Sequence, residues 1–94
     1  MSPSTAQPAP AARIAARVLF FAQLRDRVGA DELVVRLPTG STGRDLVRWV
    51  SRHHPKAEGL LGVSRLAVHC EYVPLDTPLR DGDEVAVIPP VSGG

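Results

Sequence analysis

The chain ends with Val85-Ala86-Val87-Ile88-Pro89-Pro90-Val91-Ser92-Gly93-Gly94, and its organisation can be read outward from this stretch. Residues Val85 to Ile88 are β-branched or small and apolar, which predicts a buried strand. Pro89 and Pro90 end that strand, because proline has a fixed φ and no N–H to donate to a neighbouring strand. The chain therefore leaves the sheet in an extended form, and the residues after Ile88 could reach roughly 20 Å from the sheet edge.

The tip of this tail carries no side chains. Gly93 and Gly94 accept φ of either sign and can thread a slot that a Cβ would block. What they deliver is the Gly94 α-carboxylate, a poor electrophile until another protein activates it, for instance as an acyl-adenylate that a sulfur or amine nucleophile can displace. We interpret the chain as a carrier that presents its own terminus. The alternative is a frayed end, since Gly and Ser are common at disordered termini.

The length and composition of the chain are those of one small domain. The chain has 94 residues, 44% of them hydrophobic, and a net charge of +1 with both signs interspersed. This length permits a single core, and the charge gives no reason to expect nucleic-acid or membrane binding. The single cysteine, Cys70, excludes an internal disulfide and a multi-cysteine zinc site. It is compatible with a reducing compartment, and we expect a cytoplasmic protein.

The first residues predict a disordered leader over 1–12. This segment consists mainly of Ala, Pro, Ser and Thr without charge, and its three prolines prevent a helix. It lacks the basic and apolar regions of a signal peptide, while a transit peptide is a weaker alternative because arginine first appears at Arg13. We expect a folded domain over residues 13–88 and an extended tail over residues 89–94.

Apolar alternation predicts five strands and one main helix. The strands are expected over Arg17–Phe21, beginning as early as Arg13, and over Glu32–Leu37, Arg65–His69, Glu71–Val73 and Val85–Ile88. A short helical turn ended by Gly29 follows the first strand. Thr42 and Asp45 have the spacing of a capping box, which starts a helix that runs to about His54 before Pro55.

This order predicts an α+β domain of the β-grasp, ubiquitin-like class. One main helix covers one face of a mixed sheet of four to five strands. The other face must then expose Leu19 and Phe21, or else Val18 and Phe20, and a similar pair from the last strand. Exposed apolar residues beside a projecting tail indicate an interface. The alternative is that loop 74–78 or segment 56–64 covers that face.

Four segments together resemble the small, sulfur-carrier subunit of molybdopterin synthase. They are Val18-Leu19-Phe20-Phe21-Ala22-Gln23-Leu24-Arg25 with Val28-Gly29, Leu37-Pro38-x-Gly40-x-Thr42 with Leu46, Ala67-Val68 with Glu71-Tyr72-Val73, and Thr77-Pro78-Leu79-x-Asp81-Gly82-Asp83-Glu84 continuing to Gly94. The resemblance covers nearly all of residues 17–94. The last segment is the most specific of the four.

The resemblance implies a function for the terminus. In that family an ATP-dependent adenylyltransferase related to ubiquitin E1 adenylates the terminal glycine, which becomes a thiocarboxylate with sulfur from a donor protein. The tail then enters the large synthase subunit, where sulfur passes to cyclic pyranopterin monophosphate. Here Gly94 would bear the sulfur, and Pro89, Pro90, Val91, Ser92 and Gly93 would be inserted. The small subunit is a co-substrate that binds no cofactor itself, and the family precedent is a heterotetramer.

The resemblance also implies an interface and contains one departure. The family's hydrophobic contact surface matches Phe21, Tyr72 and Ile88, and Arg25 could meet an acidic patch on a partner. Family members often carry Asn where His69 stands and a polar residue where Cys70 stands. Asn suits the left-handed conformation of a tight strand junction. We expect the fold to tolerate His69.

The other side chains that could suggest a metal site or a nucleophile are better explained by structural roles. His53 and His54 point about 100° apart on a helix and cannot bind one metal from one face. Cys70 has no evident partner base and is expected to be a partly buried strand thiol. Asp81, Asp83 and Glu84 are explained by a turn around Gly82, not by a metal site.

Three functions compete at this point. The first is the molybdopterin sulfur carrier, or a sulfur carrier for thiamine, cysteine or tRNA thiolation. The second is a protein modifier joined to targets through Gly94. The third is a plain interaction domain, which would keep its function without Gly94.

Overall fold

The protein, described by a computed structural model over residues 13–91, contains one mixed sheet of five strands in the order β2-β1-β5-β3-β4. The strands are β1 (Arg13–Phe20), β2 (Glu32–Pro38), β3 (Arg65–Val68), β4 (Glu71–Val73) and β5 (Glu84–Ile88). β1 and β5 run parallel in the centre, and the other neighbouring pairs are antiparallel. The predicted leader and Ser92, Gly93 and Gly94 lie outside the described residues.

Along the chain, all helical segments follow β1 and precede β3. They are α1 (Ala22–Val28), α2 (Gly43–His53), a 3₁₀ turn (Pro55–Ala57) and α3 (Glu58–Leu61). The predicted capping box is confirmed: the Asp45 carboxylate accepts the Thr42 N–H at 2.9 Å, and the Thr42 hydroxyl accepts the Asp45 N–H at 3.4 Å. The predicted main helix is therefore α2, and the fold class predicted from the sequence is confirmed.

The core fills the space between α2 and one face of the sheet. From β1 and β5 it takes Val18, Phe20, Val85 and Val87, each at most 2% exposed. Leu46 and Val50 of α2, at most 1% exposed, cover them. The even-numbered residues of β1 thus form the covered face, which settles the choice that the sequence left open.

The loop before β5 packs on the helical side of the sheet. The N–H groups of Gly43 and Arg44 donate to the carbonyls of Thr77 at 3.0 Å and Leu75 at 2.8 Å. A Cβ at residue 43 would lie 2.5 Å from Cδ1 of the buried Leu66 and 3.2 Å from the Leu75 carbonyl oxygen, so glycine allows this approach without a shift of either group.

Segment 56–64 lies on the same side, since Ala57 and Leu61 belong to the core. The alternative that one of these segments covers the second face is therefore wrong.

A tight turn joins β3 to β4 and corrects one expectation. His69 and Cys70 occupy it with φ of 50° and 70°. Positive φ at both central residues is typical of a type I′ hairpin turn, which matches the twist of the strands. Cys70 is consequently exposed on the turn and is not the partly buried strand thiol that we expected.

Within residues 13–91 no helix combines the length and apolar character that a membrane span requires.

Candidate functional site: the open face and the base of the tail

The sheet face opposite α2, here called the open face, exposes apolar side chains at one end. The register aligns Leu19 of β1, Ala86 of β5, Ala67 of β3 and Tyr72 of β4 in one row across four strands. With about 4.8 Å between strands, this row is about 14 Å wide. The row has two small side chains in the middle and a larger apolar side chain at each end.

The tail begins beside this row. β5 is the middle strand and is paired on both sides, with β1 and β3, so the base of the tail is fixed in the sheet. Phe21 and Ile88 line a shallow hollow together with Pro89, Pro90 and Val91. Val91 is 90% exposed, which shows that the tail projects away from the domain as far as it is described.

Three of the four residues expected at an interface, Phe21, Tyr72 and Ile88, lie on the open face. Phe21 and Tyr72 are 46% and 57% exposed, and Ile88 is half-buried. Arg25 is exposed on α1, with its Nε 3.6 Å from an Asp31 carboxylate oxygen. The structure therefore brings Phe21, Ile88 and the start of the tail together. Gly94, the residue expected to carry the chemistry, lies outside the described residues together with Ser92 and Gly93.

One residue with a strained backbone lies at the base of the tail. Ala22, which follows Phe21 and lines the hollow at the tail base, has a φ of 52°. The left-handed region costs a residue with a Cβ roughly 1–2 kcal/mol. Strain of this kind is concentrated at functional sites, where the surrounding structure maintains it.

Two arginines of the open face, Arg17 and Arg65, have different kinds of partner. Arg17 is held by two carboxylates, Glu32 at 2.9 Å and Glu84 at 3.3 Å. Arg65 lies instead over an aromatic ring, with its Cζ 4.1 Å from the centroid of Tyr72. Sequence reasoning missed these contacts, since they depend on which residues the strand register places side by side.

The acidic residues before β5 support the turn. The Asp81 carboxylate accepts the Ala15 N–H at 2.8 Å, and Asp83 accepts the Arg80 N–H at 2.8 Å. The other oxygen of Asp83 lies 2.9 Å from Nε2 of His69, which links this turn to the β3–β4 hairpin. Across residues 13–91 no group of three or more His, Cys, Asp or Glu side chains could hold a metal ion.

Comparison with known proteins gives a consistent result. The model of the ThiS family matches residues 18–94. The molybdopterin synthase sulfur carrier subunit of Escherichia coli K12 is 43% identical over 82 residues, covering 83% of this chain and 98% of that protein.

Solved structures share the fold. SAMP1 from Haloferax volcanii is 25% identical with a TM-score of 0.77, covering 85% of this chain and 99% of that one. A chain from the complex of subunits 1 and 2 of the molybdopterin-converting factor of Helicobacter pylori has a TM-score of 0.62 at 24% identity. That comparison covers 86% of this chain and 100% of the other.

Proposed function

This chain belongs to the ThiS family, and from that premise we propose that it is the sulfur-carrier subunit of a molybdopterin synthase. The observation that carries the proposal is the likeness to the sulfur carrier subunit of Escherichia coli, which extends over nearly the whole of that protein. The tail ending in Gly94 lies within the matched region, so the likeness includes the residues that would carry the sulfur.

The chemistry takes place at the Gly94 carboxylate. An activating enzyme transfers AMP from ATP to this carboxylate and releases pyrophosphate. A sulfur nucleophile from a donor protein then attacks the acyl carbon, and AMP leaves with the bonding electron pair. A thiol then attacks the donor's remaining disulfide bond to the transferred sulfur, so that a new disulfide forms on the donor and the terminus is released as a thiocarboxylate. Its sulfur is a stronger nucleophile than the original carboxylate oxygen and can displace an oxygen leaving group from a carbon of cyclic pyranopterin monophosphate. Hydrolysis of the resulting thioester would leave the sulfur on the pterin and return the Gly94 carboxylate.

The fold suits a carrier better than a catalyst. The acceptor must be reached by a thin tail, and Pro89 and Pro90 keep its base extended because both have a fixed φ. The pairing of β5 on both sides fixes the point from which the tail leaves. Catalytic side chains are therefore expected on the activating enzyme and on the large synthase subunit.

The large subunit is the proposed occupant of the open face. The Helicobacter pylori protein with this fold is in a complex with a second subunit. Here Phe21, Tyr72 and Ile88 give an apolar surface next to the tail, so one partner can cover the surface and receive the tail in the same complex. We expect two small subunits on a large-subunit dimer.

The test is the intact mass of the chain after incubation with a cognate activating enzyme, ATP and a sulfur donor. We expect a gain equal to the replacement of one oxygen by sulfur, and no gain in a chain that lacks Gly94. Addition of the large subunit and the pterin precursor should return the original mass as molybdopterin forms.

Two outcomes would contradict the proposal. No mass change with an activating enzyme that is active on another carrier would exclude the thiocarboxylate. A covalent adduct with a lysine of another protein, formed through Gly94, would favour the modifier function instead.

A further inference from the structure

Arg65 is the open-face cation nearest the tail. Among residues 13–91 neither an ion pair nor a side-chain hydrogen bond involves its guanidinium. Arg13 and Arg36 also lie on this face without an ion pair in the described part of the chain, but they are at the end of β1 far from the tail. Arg17, on the same face, has two carboxylates within 3.3 Å. Arg17 is therefore neutralised inside the domain, whereas Arg65 presents its donors outward.

Stacking on Tyr72 fixes the orientation of Arg65. The Arg65 side chain projects from β3 on the same face as Tyr72, which is its diagonal neighbour on β4 because Leu66 pairs with Val73. At 4.1 Å from the ring centroid the guanidinium lies within cation–π distance. A guanidinium held in one orientation loses less conformational freedom when it binds a carboxylate through two parallel hydrogen bonds.

The position of Arg65 connects it to the tail. The register places it opposite Ile88, the last residue of β5 before Pro89. Tyr72, the platform beneath it, ends the apolar row of the open face. A partner that covers this row and receives the tail would enclose Arg65 at the edge of the contact.

We propose that Arg65, held on Tyr72, recognises a carboxylate of the large subunit and so selects the partner. This inference rests on the proposed function and goes beyond it by naming the charge that the partner must supply. An apolar surface alone accepts many partners, whereas an arginine left without a carboxylate in the contact would disfavour the wrong ones.

The experiment measures the affinity of the full chain for its cognate large subunit by calorimetry at low and high salt. Arg65→Met should weaken binding by about tenfold or more and should reduce its salt dependence. Arg65→Lys should recover only part of the loss, because Lys cannot form the planar pair of hydrogen bonds.

Arg52→Met is the matched control. Arg52 is exposed in the last turn of α2, on the opposite side of the sheet, and its replacement removes the same charge. Unchanged thermal unfolding of Arg65→Met would show that the domain is intact.

The outcomes separate the two proposals. If the wild type binds and Arg65→Met binds equally well, the role of Arg65 is wrong while the carrier function stands. If the wild type neither binds the large subunit nor transfers sulfur to the pterin precursor, the proposed function fails and this inference fails with it.

The partner residue can then be located by charge exchange. Arg65→Glu should abolish binding, and an arginine in place of the correct acidic residue of the large subunit should restore it. Failure of every exposed acidic position near the contact to restore binding would overturn the proposal.

Discussion

The two faces of the sheet are built from alternate residues of the same strands, yet they differ in what they contact. On the covered face Phe20 and Val87 lie beneath the helical layer and are at most 2% exposed. On the open face their neighbours Phe21 and Ile88 lie beside the tail. Because side chains alternate along a strand, one segment can contribute to folding with one set and to docking with the other. The difference teaches that stability and partner binding can be altered separately in this domain.

The adjacent phenylalanines should show the largest contrast in stability. Phe20→Ala removes a side chain that is 2% exposed, and we expect a loss of about 3–5 kcal/mol in the free energy of unfolding. Phe21→Ala removes a side chain that is 46% exposed, and the expected loss is below about 1 kcal/mol. Urea unfolding of both variants gives the comparison. Equal losses would show that Phe21 is part of the core and that the two faces do not have separate roles.

The same pair should reverse its order when partner binding is measured. Phe21→Ala should weaken the affinity for the large subunit by about tenfold or more, since aromatic anchors dominate the energy of interfaces. Val63→Ala is the control, because Val63 is 61% exposed but lies in the loop before β3. A loss of affinity in the control equal to that of Phe21→Ala would indicate a non-specific effect of apolar surface.

Sequence reasoning predicted the elements of both faces but could not assign the faces. Val18 with Phe20 and Leu19 with Phe21 are equally apolar, so alternation within this short run does not distinguish them. The residue before this run does distinguish them. Arg17 shares a face with Leu19, and a charged side chain indicates the solvent-exposed face. The exposure of Cys70 was missed because we assigned this residue to a strand, whereas it is a central residue of the two-residue turn between β3 and β4.

The contacts of Arg65 were beyond sequence reasoning for a different reason. Residues 65 and 72 are connected through a hairpin whose register depends on the turn at His69 and Cys70. A shift by one residue would move Tyr72 to the covered face. Composition and spacing do not contain this information, whereas the tail could be interpreted from residue types alone.

The helical cover can be weakened without altering the open face. Thr42→Ala removes the hydroxyl that caps α2 and should cost about 1 kcal/mol of stability. We expect no change in affinity for the large subunit, because Thr42 lies on the helical side. Urea unfolding and calorimetry on the same variant check both statements, and a parallel loss of affinity would show that the two faces are coupled.

The second half of the capping box makes this contribution depend on pH. The backbone N–H of Thr42, which donates to the carboxylate, lowers the pKa of Asp45, and the Thr42 hydroxyl and nearby Arg48 and Arg44 act in the same direction. A lowered pKa in the folded state stabilises the fold above the unfolded pKa of about 3.9, and this stabilisation is lost as the pH falls through the folded value. The stability of Asp45→Asn relative to the wild type should therefore rise as the pH falls from 6 to about 3. A constant difference would exclude the charge of Asp45 as the cause.

The smallest expected effect concerns the turn that positions Tyr72 on the open face. Cys70 has a φ of 70°, where a residue with a Cβ is strained and glycine is not. Cys70→Gly removes this cost but adds freedom to the unfolded chain, so we expect a net gain of at most about 1 kcal/mol in urea unfolding under reducing conditions. Cys70→Ala is the control, since it removes the thiol and keeps the Cβ. An equal gain in both variants would attribute the effect to the thiol. A gain confined to glycine would show that the backbone of the turn, and with it the register of Tyr72, is maintained against strain.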